Sequence, residues 1–193
     1  MSAKKEDIIT LPNPHLRQKS KKVGVITDEI RELVANMTAA SIDWEDSRNH
    51  EITVGLAAIQ IDVPLRVVVV RANFDDYDDK RFIEFINPEI TKFEGKEVSD
   101  HEGCLSVKDC YGNVPRYEKV RIKALDSSGR EFRMKLSGFP ARLMQHEIDH
   151  LNGIVFVDRI KDDPNAFYQL TDDAKLKKLD YEKTIKNNKD LWD

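Results

Sequence analysis

Between Gln145 and Gly153 the chain sets two histidines, a glutamate and an aspartate into an otherwise apolar stretch. The order is Gln145-His146-Glu147-Ile148-Asp149-His150-Leu151-Asn152-Gly153. Phe139, Leu143, Met144 and Leu151 give the segment apolar surface, so it reads as a buried helix. A buried helix that carries charge restricts the fold severely. The rest of the chain must wrap it and supply partners, because an unpaired buried carboxylate is costly. Both helix ends are marked. Ser137-Gly138 offers an N-cap and Pro140 suits the first turn. Gly153 stands where a left-handed residue closes a helix.

Residues i and i+4 share a helix face, so His146 and His150 can grip one metal ion. Glu147 flanks that ion and can handle the proton of water activated there. The pattern points to metal-assisted hydrolysis. Two surface histidines would be the plainer reading, but the central glutamate and the apolar surroundings argue against it. A catalytic metal usually has three protein ligands and one open position. The third must come from elsewhere in the chain. Cys104, in Glu102-Gly103-Cys104-Leu105-Ser106, is the preferred candidate, with several acidic residues competing. Gly103 permits close backbone approach. A thiolate with two imidazoles suits Zn(II) or Fe(II). Cys110 is the other cysteine and reads as inert; one possible pair makes no disulfide framework.

With 193 residues the chain suits one domain, and that length buries roughly 70% of the unfolded surface without disulfides. A net charge of −4 argues against nucleic acid, DNA included, as a global partner. No apolar run approaches the ~20 residues of a membrane span. Met1 to Asp7 is followed by too short an apolar stretch for a signal peptide. A cytoplasmic protein is expected.

Hydrophobic periodicity predicts an amphipathic helix from Asp28 to Ile42, with Ile30, Leu33, Val34 and Met37 on one face and Thr27 or Asp28 as cap. Asp43 to Ile52 reads as a polar loop. Leu65 to Arg71 reads as a buried strand. Asn73 to Lys80 reads as a loop. Phe82 to Asn87 and Ile90 to Phe93 read as strands split at Pro88. Val120 to Leu125 and Phe132 to Leu136 form a hairpin through Asp126-Ser-Ser-Gly129. Beyond Arg159 the composition turns polar, with Leu176, Leu179 and Ile185 as sparse apolar positions. That part reads as a peripheral helix or loose tail. Its lysines between Lys175 and Lys189 read as a solvated helix face.

Three separated segments together resemble the peptide deformylase family. They are Gly55-Leu56-Ala57-Ala58-Ile59-Gln60, Glu102-Gly103-Cys104-Leu105-Ser106 and Gln145-His146-Glu147-Ile148-Asp149-His150. Leu11 to Arg17 and Phe85 to Pro88 extend the likeness, which spans about Ile8 to Ile160. It implies an α+β fold: antiparallel β-strands packed around the metal-binding helix, with an N-terminal helix and a C-terminal tail or helix. Residues 1–160 would be the catalytic domain and 161–193 a polar tail, helical in one reading.

The implied reaction removes the N-formyl group from the N-terminal methionine of nascent polypeptides and releases formate. The implied metal ligands are Cys104, His146 and His150, holding one divalent ion, Fe(II) first and Zn(II), Ni(II) or Co(II) as alternatives. Glu147 would be the base. The Gln60 amide and the Leu105 backbone N–H would donate to the oxyanion. Val54, Gly55 and Gly103 would flank the peptide as an added strand. Leu143 and Arg142 would bound the methionine pocket, with Arg142 narrowing or polarising it. Glu102 would support the site without ligating. His101, His15, His50 and Cys110 receive no role. The Lys-rich segment would offer a contact to the ribosome.

Two other readings compete: a zinc endopeptidase or amidase with the same helix motif, and a silent module that binds nascent chains. Cys104 argues against the first. The retention of ligands, base and oxyanion donor argues against the second.

Overall fold

The structure is a computed structural model that describes residues 2–48, 51–76, 78–171 and 173–192. Its frame is one sheet whose seven strands pair antiparallel throughout. Four β-branched residues in a row build strand β2 (Val67–Arg71), all five positions of which are buried. The run shows no polar alternation because both faces are covered. Val67 and Val69 pack beneath helix α1 (Asp28–Asp46), while Val68 and Val70 pack beneath helix α2 (Phe139–Leu151). Strand β1 (Gly55–Ala57) pairs on one side of β2 and forms an edge of the sheet; β3 (Phe82–Cys104) pairs on the other. Next comes β4 (Val107–Leu125), which pairs with β5 (Glu131–Ser137) at one end and β6 (Phe167–Leu170) at the other. Strand β7 (Leu176–Lys178) closes the far edge.

Helix α2 begins at Gly138, whose φ of 63° turns the chain sharply out of β5. Ser137 ends the strand and gives no side-chain cap. At the other end Gly153 adopts φ 75°, and a Cβ there would come within 2.4 Å of the Arg17 carbonyl oxygen. From Ala141 to Leu151 every residue of α2 is buried. Phe139 is the correction: it is half exposed, and its ring stacks edge-on against Phe74.

Four further expectations change. Helix α1 runs on to Asp46 instead of ending at Ile42, because Trp44 packs into the core beneath it and buried Glu45 pairs with Arg71. The expected loop therefore shrinks; His50 lies outside the described residues. Pro88 does not split a strand. It sits in a register shift between Ile86 and Glu89, where a proline removes no ladder donor, and β3 continues through it. Beyond Phe93, strands β3 and β4 continue for many residues to which the sequence pattern assigns no element. Most of those β3 positions are exposed, so no apolar alternation marks them. Finally, the segment after Arg159 contributes β6 and β7 before reaching a π-helical turn (Tyr181–Ile185) and the short helix α3 (Lys189–Trp192). Phe167, Ile185 and Leu191 bury with Val114 and Phe156 in a third apolar cluster. Lys177 and Lys178 lie on β7 rather than on a helix.

Candidate metal centre

Strand β3 ends at Cys104, and a two-residue turn of Leu105 and Ser106 leads straight into β4. This hairpin brings the cysteine over the buried face of α2. Ligand atoms of Cys104, His146 and His150 all lie within 4.8 Å of one another. Cys104 Sγ is 3.2 Å from His150 Nε2. His146 Nδ1 is 3.0 Å from Glu102 Oε2, which leaves its other nitrogen for the triangle. The Phe156 ring backs His146 at 6.2 Å, nearly parallel.

The electrostatics fit a cation at this triangle. Burial lowers the His146 pKa, but contacts with Cys104 and Glu102 outweigh it and hold the pKa well above the usual value. The cluster thus draws positive charge to this point. His150, buried and beside His146, is pushed well below its usual pKa and offers a neutral imidazole. Two imidazoles and a thiolate form a donor set suited to Zn(II) or Fe(II).

Glu147 lies next to the triangle, fully enclosed by the helix and β1. Burial pushes its pKa up to about 7. Among the described residues its Oε2 has no hydrogen-bond partner. A Cβ on Gly55 would meet Glu147 Oε1 at 2.7 Å and Leu143 Cδ1 at 3.2 Å. The glycine therefore lets strand β1 approach the carboxylate.

Gln60 is the third residue of the 3-10 turn (Ala58–Ile61) that follows β1, and it is buried. Its Oε1 accepts from the Ala57 N–H at 2.9 Å, which orients the amide. Its Nε2 then donates to Ser106 Oγ at 3.1 Å and faces Cys104 Sγ at 3.6 Å. The N-terminal segment fastens both pieces: Ile9 N–H donates to the Gln60 carbonyl and Leu11 N–H to the Ser106 carbonyl.

Beneath the metal ligands runs a buried charge network. Glu102 Oε1 accepts from Arg116 Nε at 2.9 Å and Arg142 Nη1 at 2.7 Å. Oε2 accepts from Arg116 Nη2 at 2.9 Å beside the His146 contact. Burial would raise the Glu102 pKa, but the bonds from His146 and Arg116 pull it well below the carboxylate range. Asp149 is likewise paired with Arg116 and Arg159.

The structure brings the triangle, Glu147, Gln60 and Leu105 together, and Val54 packs beside the same core as Leu143. The Arg142 guanidinium is engaged by Glu102 and by the carbonyls of Val98, Asp100 and Val114. Arg116 was missed altogether. Its signal was two acids, Asp149 on the helix predicted to be buried and Glu102 two residues before the expected cysteine ligand, since buried charges need partners. Tyr111 also belongs to the surroundings of the site: its ring lies over Gly103, and its hydroxyl donates to Glu51 Oε2 at 2.8 Å. His15 and His101 are exposed, and Cys110 is buried with its thiol pushed up to about 12.

Two histidines on a helix and a cysteine at a strand end, with an adjoining glutamate and an antiparallel sheet around them, define a metallohydrolase. The sequence profile of polypeptide deformylase matches residues 5–165. A peptide deformylase of Thermomicrobium roseum is 46% identical over 158 residues, spanning 80% of this chain and 85% of that one. A crystal structure of a peptide deformylase from Legionella pneumophila superposes with a TM-score of 0.69 at 39% identity, covering 82% of this chain and 86% of that one. The Met-Ala-Ser-bound class I type b peptide deformylase of Acinetobacter baumannii superposes with a TM-score of 0.71 at 30% identity, covering 83% and 99%. The chain belongs to the peptide deformylase family. It is a metal-dependent hydrolase.

Proposed function

We infer that this chain removes the N-formyl group from the N-terminal methionine of nascent polypeptides and releases formate. The observation that carries the inference is the Cys104/His146/His150 triangle beside buried Glu147, in a chain of this family. Bound by those three ligands, the metal supplies a Lewis acid that brings the pKa of water from about 15.7 toward about 7. Fe(II) is our assignment, and Zn(II), Ni(II) and Co(II) suit the same donors.

The chain's own groups do the rest. Glu147, with a pKa near 7, takes the proton of the attacking water and returns it to the departing amine. The tetrahedral oxyanion accepts hydrogen bonds from Gln60 Nε2 and the Leu105 N–H. One such donor is worth about 2.7–4 kcal/mol. The peptide lies as an added strand between Val54–Gly55 and Gly103. This is supported by β1 being an edge strand, which has backbone groups to offer. Leu143 and Val54 receive the methionine side chain.

We take residues 1–160 as the catalytic domain and 161–193 as an accessory segment, in line with a profile match that ends at 165. Among the described residues no helix is long and apolar enough to cross a membrane. We place the protein in the cytoplasm, where nascent formylated chains arise. Ribosome contact through the Lys-rich segment is a further part of the proposal. Lys183 and Lys186 pair with Asp180 and Glu182, so Lys177 and Lys189 are the lysines to test. Lys→Gln at both should weaken ribosome binding and flatten its salt dependence; unchanged binding removes the idea.

The deciding experiment offers metal-loaded protein formyl-Met-Ala-Ser, acetyl-Met-Ala-Ser and an unblocked peptide. Formate from the first, with the other two untouched, is the expected result. Cleavage of an internal peptide bond, or no formate, overturns the reading.

A further inference from the structure

Glu102 is a buried carboxylate held by three side chains, and one of them, Arg142, has no role in the chemistry above. A carboxylate offers about four acceptor directions. At Glu102 all four are taken: Arg116 Nε and Arg142 Nη1 on Oε1, Arg116 Nη2 and His146 Nδ1 on Oε2. The two Arg116 bonds form a bidentate fork, and the Arg142 bond, at 2.7 Å, adds a donor from α2 on the oxygen opposite His146.

Arg142 is itself immobilised. Nη2 donates to the Val98 carbonyl at 2.6 Å, and Nη1 reaches the Val114 and Asp100 carbonyls at 2.7 and 3.3 Å. These carbonyls belong to β3 and β4, on either side of Glu102. Arg142 also stands one helical turn before His146, on the same face of α2. One guanidinium thus locks the helix that carries a metal ligand to the strand whose carboxylate orients that ligand.

Charge alone does not call for Arg142. Arg116 already neutralises Glu102, and a second buried cation beside a metal site repels the metal. We propose that Arg142 is a positioning residue for the metal centre: through Glu102 it holds the His146 ring in ligating orientation. The sign of its effect separates this role from others. Removing a nearby positive charge should tighten cation binding, whereas removing a positioning clamp should weaken it. A partner that orients a ligating histidine is typically worth about 10–100-fold in metal affinity.

The inference rests on the metal site described above. The test measures Co(II) and Zn(II) affinity of the apo-protein by chelator competition, and follows the Co(II)–thiolate absorption band. The variants are Arg142→Met, Arg142→Lys and Glu102→Gln, with Arg142→Met also placed in the Glu102→Gln background. Thermal unfolding of each apo-variant reports the fold separately. We expect Arg142→Met to lose about tenfold or more in affinity and to shift the Co(II) band. Arg142→Lys, which keeps the charge but lacks the fork, should lose nearly as much. Arg142→Met should cost nothing further once Glu102 is glutamine. Unchanged or tighter binding in Arg142→Met overturns the proposal, as does an equal loss in both backgrounds. Should Arg142→Met not fold, Arg142→Lys carries the same comparison, and wild-type affinity in it overturns the proposal. A wild type that binds no metal would overturn the site itself, an outcome distinct from a wild type and variant that bind alike.

Discussion

Substituting Gly55 by alanine should separate activity from stability. Gly55 lies in β1 with no left-handed φ, so its backbone accepts an alanine. The new Cβ would sit 2.7 Å from Glu147 Oε1, against about 3.4 Å for ordinary contact. The carboxylate must therefore retreat by about 0.7 Å, the difference of those two distances. That retreat is easy for folding, because the crowded atom is the free end of a flexible side chain. Gly→Ala at a compatible site also stabilises by about 0.4–1 kcal/mol through the unfolded chain. Catalysis has no such tolerance: a displacement near 1 Å costs about 100-fold. We expect kcat for formyl-Met-Ala-Ser to fall by roughly that factor, with Tm unchanged or slightly higher. The same substitution in a Glu147→Gln background should cost little more, since the group it displaces no longer acts as a base. A Gly55→Ala enzyme with wild-type kcat would refute the reasoning. So would an equal loss in both backgrounds, which would place the effect on peptide docking instead.

Three further outcomes are expected. Glu147→Gln should keep one metal per chain by elemental analysis while kcat drops about 10²–10⁴-fold; near-normal turnover would remove Glu147 as the base. Arg116→Leu leaves Glu102 and Asp149 without their shared buried partner, so urea titration should show a loss of about 3–5 kcal/mol. Stability should also fall in acid. The folded pKa of Glu102 lies below its ordinary 4.5, so its contribution is complete above that value and fades as pH drops toward the folded pKa. Apo-protein carrying Glu102→Gln should show a flatter stability profile below pH 4.5 than wild type.

The chemistry was more legible in the sequence than the fold. Ligand spacing on a helix is local, so His146, Glu147 and His150 could be placed by counting. Cys104 and Gln60 lie far away along the chain, and the family likeness supplied what spacing could not. Strand β2 was readable because its burial on both faces demands an unbroken apolar run. The outer length of β3 was not, because its exposed positions carry no pattern; burial does alternate in β4, but Gly112 and Arg116 are among the buried positions, so apolar residues do not. The partners of Arg142 were not legible for a related reason: a long side chain reaches several ångströms from its Cα, and only the register of β3 on β4 shows which carbonyls await it. Strand β6 escaped notice because it pairs with β4 at only two positions.

The most direct test of the account titrates metal into apo-protein under anaerobic conditions while formate release is followed. The account predicts activity that rises linearly and saturates at one equivalent in wild type. Cys104→Ala should bind metal far more weakly and release no formate at any stoichiometry. Formate release by Cys104→Ala at wild-type rate, or full activity in wild type stripped of metal, would contradict it.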